Sequence, residues 1–200
     1  MSINAAFKLV IELSRQFNID ESHALKHSME VYAFTKRIII SETPTYPDLV
    51  KQREIIYLAA ILHDMCDKKY TAETDGVAIL REKLHDLVDE HSLWVIIKII
   101  TTMSYSTVKK DGYPELGEYQ MAYHVVREAD LLAAYDIDRC IMYSMYTKHV
   151  EYDEALWIAV KLFYVRVLKY KVDGLFITDF SKQESEKLHE NAVKMIALLM

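Results

Sequence analysis

The stretch IIYLAAILHD, residues 55–64, decides the fold class of this chain. Its first eight residues, Ile55–Leu62, are apolar on nearly every side of a helical wheel, which is typical of a helix buried among other helices. His63 and Asp64 follow at once, so an imidazole and a carboxylate are carried into the same interior. Because a buried carboxylate is costly without a partner, this pair predicts either a metal site or an ion pair at the helix end.

The rest of the chain favours an all-α fold. Four glycines and three prolines in 200 residues leave few tight turns, which excludes a sandwich or barrel of many strands. Hydrophobic residues make up 52% of the sequence, enough to fill one core, and the length corresponds to one domain. We therefore predict a single compact bundle of eight or nine helices. One runs from an Asp20 cap to Ile40, another runs from an Asp48 cap to Cys66, and Ser104–Gly117 is the main loop.

Charge and cysteine content exclude several classes of protein. The net charge is −6, which argues against an extended nucleic-acid surface but leaves room for a small anion held by a local cluster or a metal. Cys66 and Cys140 are too few for a disulfide framework, so a reduced intracellular setting is expected. The sequence has no secretory signal pattern and no apolar run that could span a bilayer. We therefore expect a cytoplasmic protein without a membrane partner.

Two further predicted helices carry polar side chains inward. His27 shares an apolar face with Val31, and Asp130 lies at the edge of another apolar stripe. With His63 and Asp64 they make two imidazoles and two carboxylates, a set that suits one divalent ion of Mn, Fe, Co, Ni or Zn. Taken singly, each residue is more often a hydrogen-bonded core histidine or a member of an ion pair, so the metal site is predicted from the combination.

The order of these residues along the chain resembles the HD-domain metal-dependent phosphohydrolase superfamily. The segments that carry the resemblance are His23-Ala-Leu-Lys-His27, Leu58–Lys69 and Glu128-Ala129-Asp130. The likeness is greatest to small bacterial HD enzymes that cleave nucleoside triphosphates to a monophosphate and pyrophosphate. The resemblance covers about residues 20–199 and implies an HD-type helical bundle. We expect residues 1–200 to form a single domain. The metal ligands that it implies are His27, His63, Asp64 and Asp130.

The resemblance also implies a reaction, the hydrolysis of a nucleotide or related phosphate ester by attack of a metal-bound water on phosphorus. The catalytic candidates are Asp64, Asp67 and Lys68, since Asp67 could orient the water and a lysine beside the metal would neutralise phosphate charge. The candidates for substrate binding are His23, Lys69, Arg127, Lys148 and Arg166. Structural interpretations stay open for Asp67, as a helix-end or salt-bridge residue, and for the cations, as surface charge. The implied partner is a small phosphorylated substrate, and a homodimer is compatible with the sequence.

One motif departs from the family pattern. The similar enzymes usually read Asp-Ala-Asp-Arg-Leu-Asp at the last motif, whereas this chain has Leu131 and Ala133 in place of the Arg and the final Asp. Asp130 keeps the ligand position, so the change affects the identity of the substrate more than metal binding. One alternative function is therefore a non-catalytic metal- or nucleotide-binding protein. Another is a purely structural helical protein in which the four residues form salt bridges.

Overall fold

The computed structural model describes residues 2–70 and 72–200, and this part of the chain is 76% helical with no strand. The all-α prediction is therefore confirmed. The α-helices are α1 (Ile3–Gln16), α2 (Leu25–Glu42), α3 (Asp48–Leu62), α4 (Glu73–Leu84), α5 (Glu90–Thr102), α6 (Tyr105–Asp111), α7 (Gln120–Ala133), α8 (Ile137–Lys148), α9 (Tyr152–Val165) and α10 (Asp179–Leu199). Short 3₁₀ helices span His63–Cys66, Gly117–Tyr119 and Val167–Lys169.

Side-chain caps fix the starts of several helices. Ser2 accepts a hydrogen bond from a backbone N–H in the first turn of α1, as Asp89 does for α5 and Thr178 for α10. Each cap satisfies one of the N–H groups that a helix leaves unpaired at its beginning. Ser2 therefore fixes the start of α1.

Helices α2, α3 and α7 pack against one another and form the centre of the bundle. Helices α1 and α5 cover α3, α10 lies against α2 and α7, and α8 packs mainly against α9. Leu58, Ala59 and Ile61 of α3 have no solvent exposure, as the apolar sequence of this helix predicts. Among the described residues, no helix has the length and hydropathy needed to cross a bilayer.

The predicted start of α2 at Asp20 is wrong. The helix begins at Leu25, and Asp20 instead holds the preceding turn, because its carboxylate accepts from the Ser22 N–H and the Tyr70 hydroxyl. The predicted cap of α3 is also corrected, since Asp48 is the first residue of that helix rather than the residue before it.

Two further boundaries differ from the sequence prediction. The third helix ends at Leu62, and His63–Cys66 tightens into a 3₁₀ turn. The segment Ser104–Gly117, predicted as a loop, contains α6, which Ser104 caps through the Thr107 N–H. Helix α6 has no buried residue, so it lacks the apolar stripe from which a helix is predicted. The described residues thus contain ten α-helices, where eight or nine were expected.

Candidate metal centre

The three central helices bring the four predicted ligands together. His27 lies in the third position of α2, and Asp130 lies near the end of α7. His63 and Asp64 follow α3, where the 3₁₀ turn keeps both side chains inside the bundle. The side chains of His27 and His63 are 0% and 3% exposed, so the site is closed on the imidazole side.

The ligand atoms have the spacing of donors around one cation. The Nε2 atoms of His27 and His63 lie 3.0 Å apart. Asp64 Oδ2 lies 3.4 Å and 3.2 Å from these two nitrogens, and Asp130 Oδ1 lies 3.3 Å and 3.7 Å from them. Two ligand atoms each about 2.1 Å from a cation are about 3.0 Å apart at a right angle and about 3.4 Å apart at the tetrahedral angle. The ligand atoms of His27, His63 and Asp64 all lie within 4.8 Å of one another, and Asp130 Oδ1 lies within 3.7 Å of both imidazole nitrogens, so these distances fit a shared divalent ion.

The hydrogen bonds around the cluster leave lone pairs pointing into it. In its neutral form, His63 donates from Nδ1 to the Ala60 carbonyl oxygen at 2.8 Å, which leaves Nε2 as a lone pair. In metal-binding histidines, a hydrogen bond from the ring nitrogen that does not bind the metal fixes the tautomer in the same way. Asp64 Oδ2 is buried and makes no hydrogen bond of good geometry to a described residue, although both imidazole Nε2 atoms lie 3.2–3.4 Å away. A cation would satisfy this oxygen and both imidazole nitrogens at once, so the residues present fit a metal ion.

Electrostatics favour ionised carboxylates in this site. Burial lowers the pKa of His27 to about 4, so this imidazole is neutral near pH 7. Burial opposes charge on His63 as well, but the carboxylates of Asp64 and Asp130 raise its pKa to about 10. Despite burial, the imidazoles hold the pKa values of both carboxyl groups below their usual range. Without a metal, an imidazolium at His63 balances the carboxylates, so the geometry also suits the structural alternative.

Two cavities meet at the cluster, and we call them the smaller lobe and the larger lobe. The smaller lobe, about 330 Å³, is rich in hydroxyl groups from Thr101, Ser104, Ser106 and Thr107. The larger lobe, about 450 Å³, has an apolar wall from α9, and α8 contributes tyrosine and basic side chains. The residues that line both lobes are Asp64, Asp67, Lys69, Ser104, Tyr105, Asp130 and Arg166.

Most of the predicted catalytic and substrate residues line these lobes. Asp67, Lys69 and Arg166 lie in the wall that both lobes share. Lys68 lines the smaller lobe, and His23 and Lys148 line the larger one. Both oxygens of Asp67 accept from Lys69, Oδ1 from the backbone N–H at 2.9 Å and Oδ2 from Nζ at 3.0 Å. This arrangement agrees with the interpretation of Asp67 as a salt-bridge residue and leaves its carboxylate at the cavity wall.

Arg127 does not belong to this site, which corrects the sequence prediction. Its side chain is 3% exposed, its guanidinium donates to the Leu175 carbonyl oxygen, and it lies over the Tyr113 ring. Arg127 lies three residues before Asp130 on α7, but its guanidinium reaches the segment before α10 and lines neither lobe. It holds that segment in place and is not available to a phosphate.

The sequence did not identify Arg139 and Tyr143, two residues of α8 that line the larger lobe. Arg139 donates from Nε to the Ser22 carbonyl oxygen at 2.7 Å, which joins α8 to the turn before α2. Tyr143 lies under the ammonium of Lys69 at 5.5 Å from its ring centre. Neither residue belongs to a motif, and only the packing of α8 beside the cluster reveals them.

Comparisons with known proteins bear on the fold. No protein-family model matches the sequence, and no curated protein matches it. A crystal structure from Lactobacillus plantarum, a Northeast Structural Genomics target, is similar with a TM-score of 0.73 at 20% sequence identity. The alignment covers 98% of this chain and 96% of that chain. The two chains therefore share a fold over nearly their whole length.

Proposed function

We propose that this protein is a metal-dependent phosphohydrolase of the HD type. One observation carries the proposal: two imidazole nitrogens and two carboxylate oxygens lie close together. Each imidazole Nε2 lies 3.0–3.7 Å from the other Nε2 and from one oxygen of each carboxylate. His27, His63, Asp64 and Asp130 would hold one divalent ion, with Mn, Fe, Co, Ni and Zn all suited to this donor set. The order of these residues in the sequence agrees with the HD pattern.

The reaction adds water across a phosphorus–oxygen bond. The water oxygen bonds to phosphorus, and the leaving oxygen takes the electron pair of the bond that breaks. A divalent ion supplies the activation of water and the polarisation of a phosphoryl oxygen. Asp67 lies at the wall shared by both lobes, where its carboxylate can accept the proton of the attacking water. Lys69 and Arg166 lie in the same wall and would bind the phosphate oxygens.

The two lobes support a nucleotide-sized substrate. The larger lobe, about 450 Å³, lies within the usual range of small-molecule sites, and its apolar and tyrosine side chains suit an organic group such as a base. Lys69, Arg139, Lys148 and Arg166 line it within a chain of net charge −6, which suits an anionic substrate. Because phosphorylated nucleotides are intracellular substrates, a cytoplasmic reaction is part of this proposal.

A second candidate function is the binding of metal and nucleotide without turnover. Leu131 lines the larger lobe, beside Asp130, at a position where the similar enzymes carry arginine. Leucine brings no charge to a phosphate at this part of the wall, next to the cluster. If the remaining cations do not replace it, substrate binds but is not cleaved.

Hydrolysis assays with a panel of substrates test the proposal. Purified protein is incubated with Mn²⁺ and nucleoside triphosphates, monophosphates and cyclic dinucleotides, and its metal content is measured. The Asp64→Asn variant removes one ligand, and we expect it to lose metal and about 100-fold or more of the rate. Asp86→Asn is the matched control, since Asp86 is 92% exposed and pairs with His85 outside the lobes. We expect it to behave as the wild type.

The outcomes separate the three functions. Metal-dependent release of pyrophosphate or orthophosphate that Asp64→Asn loses and Asp86→Asn keeps supports a hydrolase. The identity of the released product shows which bond is cleaved. Metal binding without any product supports the non-catalytic alternative. A wild-type protein that binds no metal, and whose stability rather than chemistry depends on Asp64, supports the structural alternative.

A further inference from the structure

A chain of hydrogen bonds leads from the turn before α2 to the edge of the metal centre. Lys69 Nζ lies 3.0 Å from His23 Nε2. On the other side of the ring, His23 Nδ1 lies 2.6 Å from Ser22 Oγ and 3.0 Å from the Tyr70 hydroxyl. The Tyr70 hydroxyl lies 2.5 Å from Asp20 Oδ2. His23 therefore connects a buried carboxylate to a lysine that faces the cavity.

The chemistry of these groups sets the direction of every bond in the chain. A lysine ammonium has only donors, so His23 Nε2 must accept from it. The ring proton is then on Nδ1, where Ser22 Oγ and the Tyr70 oxygen are the acceptors. Tyr70 in turn donates to Asp20, which is an acceptor when ionised. The opposite tautomer would place a ring N–H against the ammonium N–H groups.

Two features keep the ring neutral and in place. The Lys69 ammonium lies 3.0 Å from Nε2 and repels a second proton there, so Nε2 remains an acceptor and the ring stays neutral. Asp20 is 7% exposed and also accepts from the Ser22 backbone N–H at 2.9 Å, so the far end of the chain is fixed to the backbone. The ring also packs edge-on against Tyr70 and Tyr143.

The other end of the chain is a lysine in the wall that both lobes share. Lys69 Nζ contacts His23 and Asp67, and its side chain is 44% exposed. A lysine side chain loses conformational entropy when it is fixed, which weakens phosphate binding unless the side chain is already held in place. A lysine held at its tip in the free protein meets that cost before the substrate arrives.

We propose that His23 is a positioning residue, which holds the Lys69 ammonium beside the metal centre for a phosphate group by accepting its hydrogen bond, with Tyr70 and Asp20 fixing the ring. This inference rests on the proposed phosphohydrolase function. It assigns His23 no contact with substrate and no place in the metal coordination. It also gives Tyr70, which no sequence motif identified, a part in organising the site.

A double-mutant cycle on anion binding tests the proposal without requiring turnover. The probe is methylenediphosphonate, a pyrophosphate analogue that is not hydrolysed, titrated by calorimetry into protein loaded with one equivalent of Mn²⁺. We expect Lys69→Met to weaken binding about 10- to 100-fold, as for loss of a charged hydrogen bond. His23→Leu should weaken it by up to the same factor, and the double variant should be no weaker than Lys69→Met alone.

Controls separate this role from a general loss of structure. His23→Gln keeps an oxygen that can accept from Lys69 and should recover part of the affinity. Lys51→Met removes an 82% exposed lysine outside both lobes and should bind the probe as the wild type does. Metal content and thermal stability, measured for every variant, should be unchanged in Lys69→Met.

The ring tautomer gives a second test that does not depend on any ligand. In ¹⁵N-histidine-labelled protein loaded with Zn²⁺, nuclear magnetic resonance should place the His23 proton on Nδ1 and leave Nε2 bare at pH 7. A proton on Nε2 overturns the proposal. The proposal is also overturned if His23→Leu weakens diphosphonate binding by the same factor in wild-type and in Lys69→Met protein. If the metal-loaded wild type binds no diphosphonate at all, the proposed function fails as well. Intact binding without coupling overturns the role of His23 alone.

Discussion

Glu128 and Asp130 are carboxylates two residues apart on α7, and their surroundings are different. Glu128 has no exposed surface and accepts from the Ile177 N–H at 2.6 Å, the Thr178 N–H at 3.2 Å and the Thr178 hydroxyl at 2.6 Å. Asp130 is 29% exposed and faces the two imidazoles instead. Glu128 therefore joins α7 to the segment before α10, whereas Asp130 contributes to the candidate metal centre.

Alanine substitution should separate these two roles. Glu128→Ala leaves buried N–H groups without an acceptor, and we expect the free energy of unfolding to fall by about 2–4 kcal/mol with metal content unchanged. Asp130→Ala should instead lose bound metal. Denaturant unfolding and metal analysis of both variants provide the measurement. Loss of metal from Glu128→Ala at unchanged stability would contradict the assignment.

His124 should make stability depend on pH. Burial, with the Arg127 guanidinium nearby, lowers its pKa to about 4 in the folded protein, against 6.5 for the unfolded chain. Between these values the unfolded state binds a proton that the folded state does not, so stability falls as the pH drops from about 6.5 to 4. We expect His124→Gln to reduce that loss by about 1–3 kcal/mol in unfolding titrations at several pH values.

His85→Gln is the control for this pH experiment, because the His85 side chain is 79% exposed and contacts Asp86 at the surface. The slope of His124→Gln is compared with the slope of this variant. Part of the dependence of stability on pH should remain in every variant, because the pKa values of His23 and His27 are also lowered to about 4. An unchanged slope in His124→Gln would show that His124 is protonated equally in both states.

At the scale of elements, α6 is the least supported helix that lines the site. It has seven residues, none of them buried, and Ser104 at its start accepts from the Thr107 N–H at 3.2 Å. Short helices form poorly without such contacts, because the first turn is costly to nucleate. The same Ser104 and the adjacent Tyr105 line both lobes, so the order of α6 shapes the cavity.

Removal of this cap should loosen α6 alone. We expect Ser104→Ala to cost about 1 kcal/mol locally and to speed amide hydrogen exchange over residues 105–111. Helix α5, capped by Asp89, serves as the internal control and should exchange at its usual rate. Exchange in α6 that is equally slow in both proteins would mean that other contacts hold it.

Helical periodicity explains how much of the site could be predicted. His27, His63 and Asp64 follow apolar residues at helical spacing, so the sequence alone places them inside the bundle. The start of α2 could not be predicted, because Asp20 resembles an N-cap locally and its partner Tyr70 is 50 residues away. Local sequence cannot reveal such a contact.

The basic residues illustrate the same limit. Arg127 and Arg139 both lie on amphipathic helices near the cluster, and the sequence favoured Arg127. The structure turns Arg127 toward the Leu175 carbonyl, 48 residues along the chain, and places Arg139 in the larger lobe. The direction of an arginine on a helix is decided by which elements pack beside it, and this information appears only when the whole bundle is assembled.

At the scale of the whole molecule, the bundle concentrates charge where its helices meet. Three central helices carry one buried carboxylate, one partly exposed carboxylate and two imidazoles to one point, and this arrangement costs stability unless opposite charge is supplied. A bound divalent ion would therefore stabilise the folded protein as a whole, since the unfolded chain does not assemble the ligands.

Thermal unfolding should report this coupling. We expect saturating Mn²⁺ to raise the melting temperature of metal-free protein by about 5–15 °C, and a chelator to reverse the rise. In Asp64→Asn the rise should largely disappear. An equal rise in wild type and Asp64→Asn would mean that the ion binds elsewhere.

The central claim is that four side chains from three helices share one divalent ion, and anomalous X-ray diffraction from crystals grown with Mn²⁺ tests it most directly. The predicted result is one strong anomalous peak about 2.0–2.2 Å from Nε2 of His27, Nε2 of His63 and a carboxylate oxygen of each of Asp64 and Asp130. An absence of any peak among these four residues at saturating Mn²⁺, with the side chains still within hydrogen-bonding distance of one another, would contradict it.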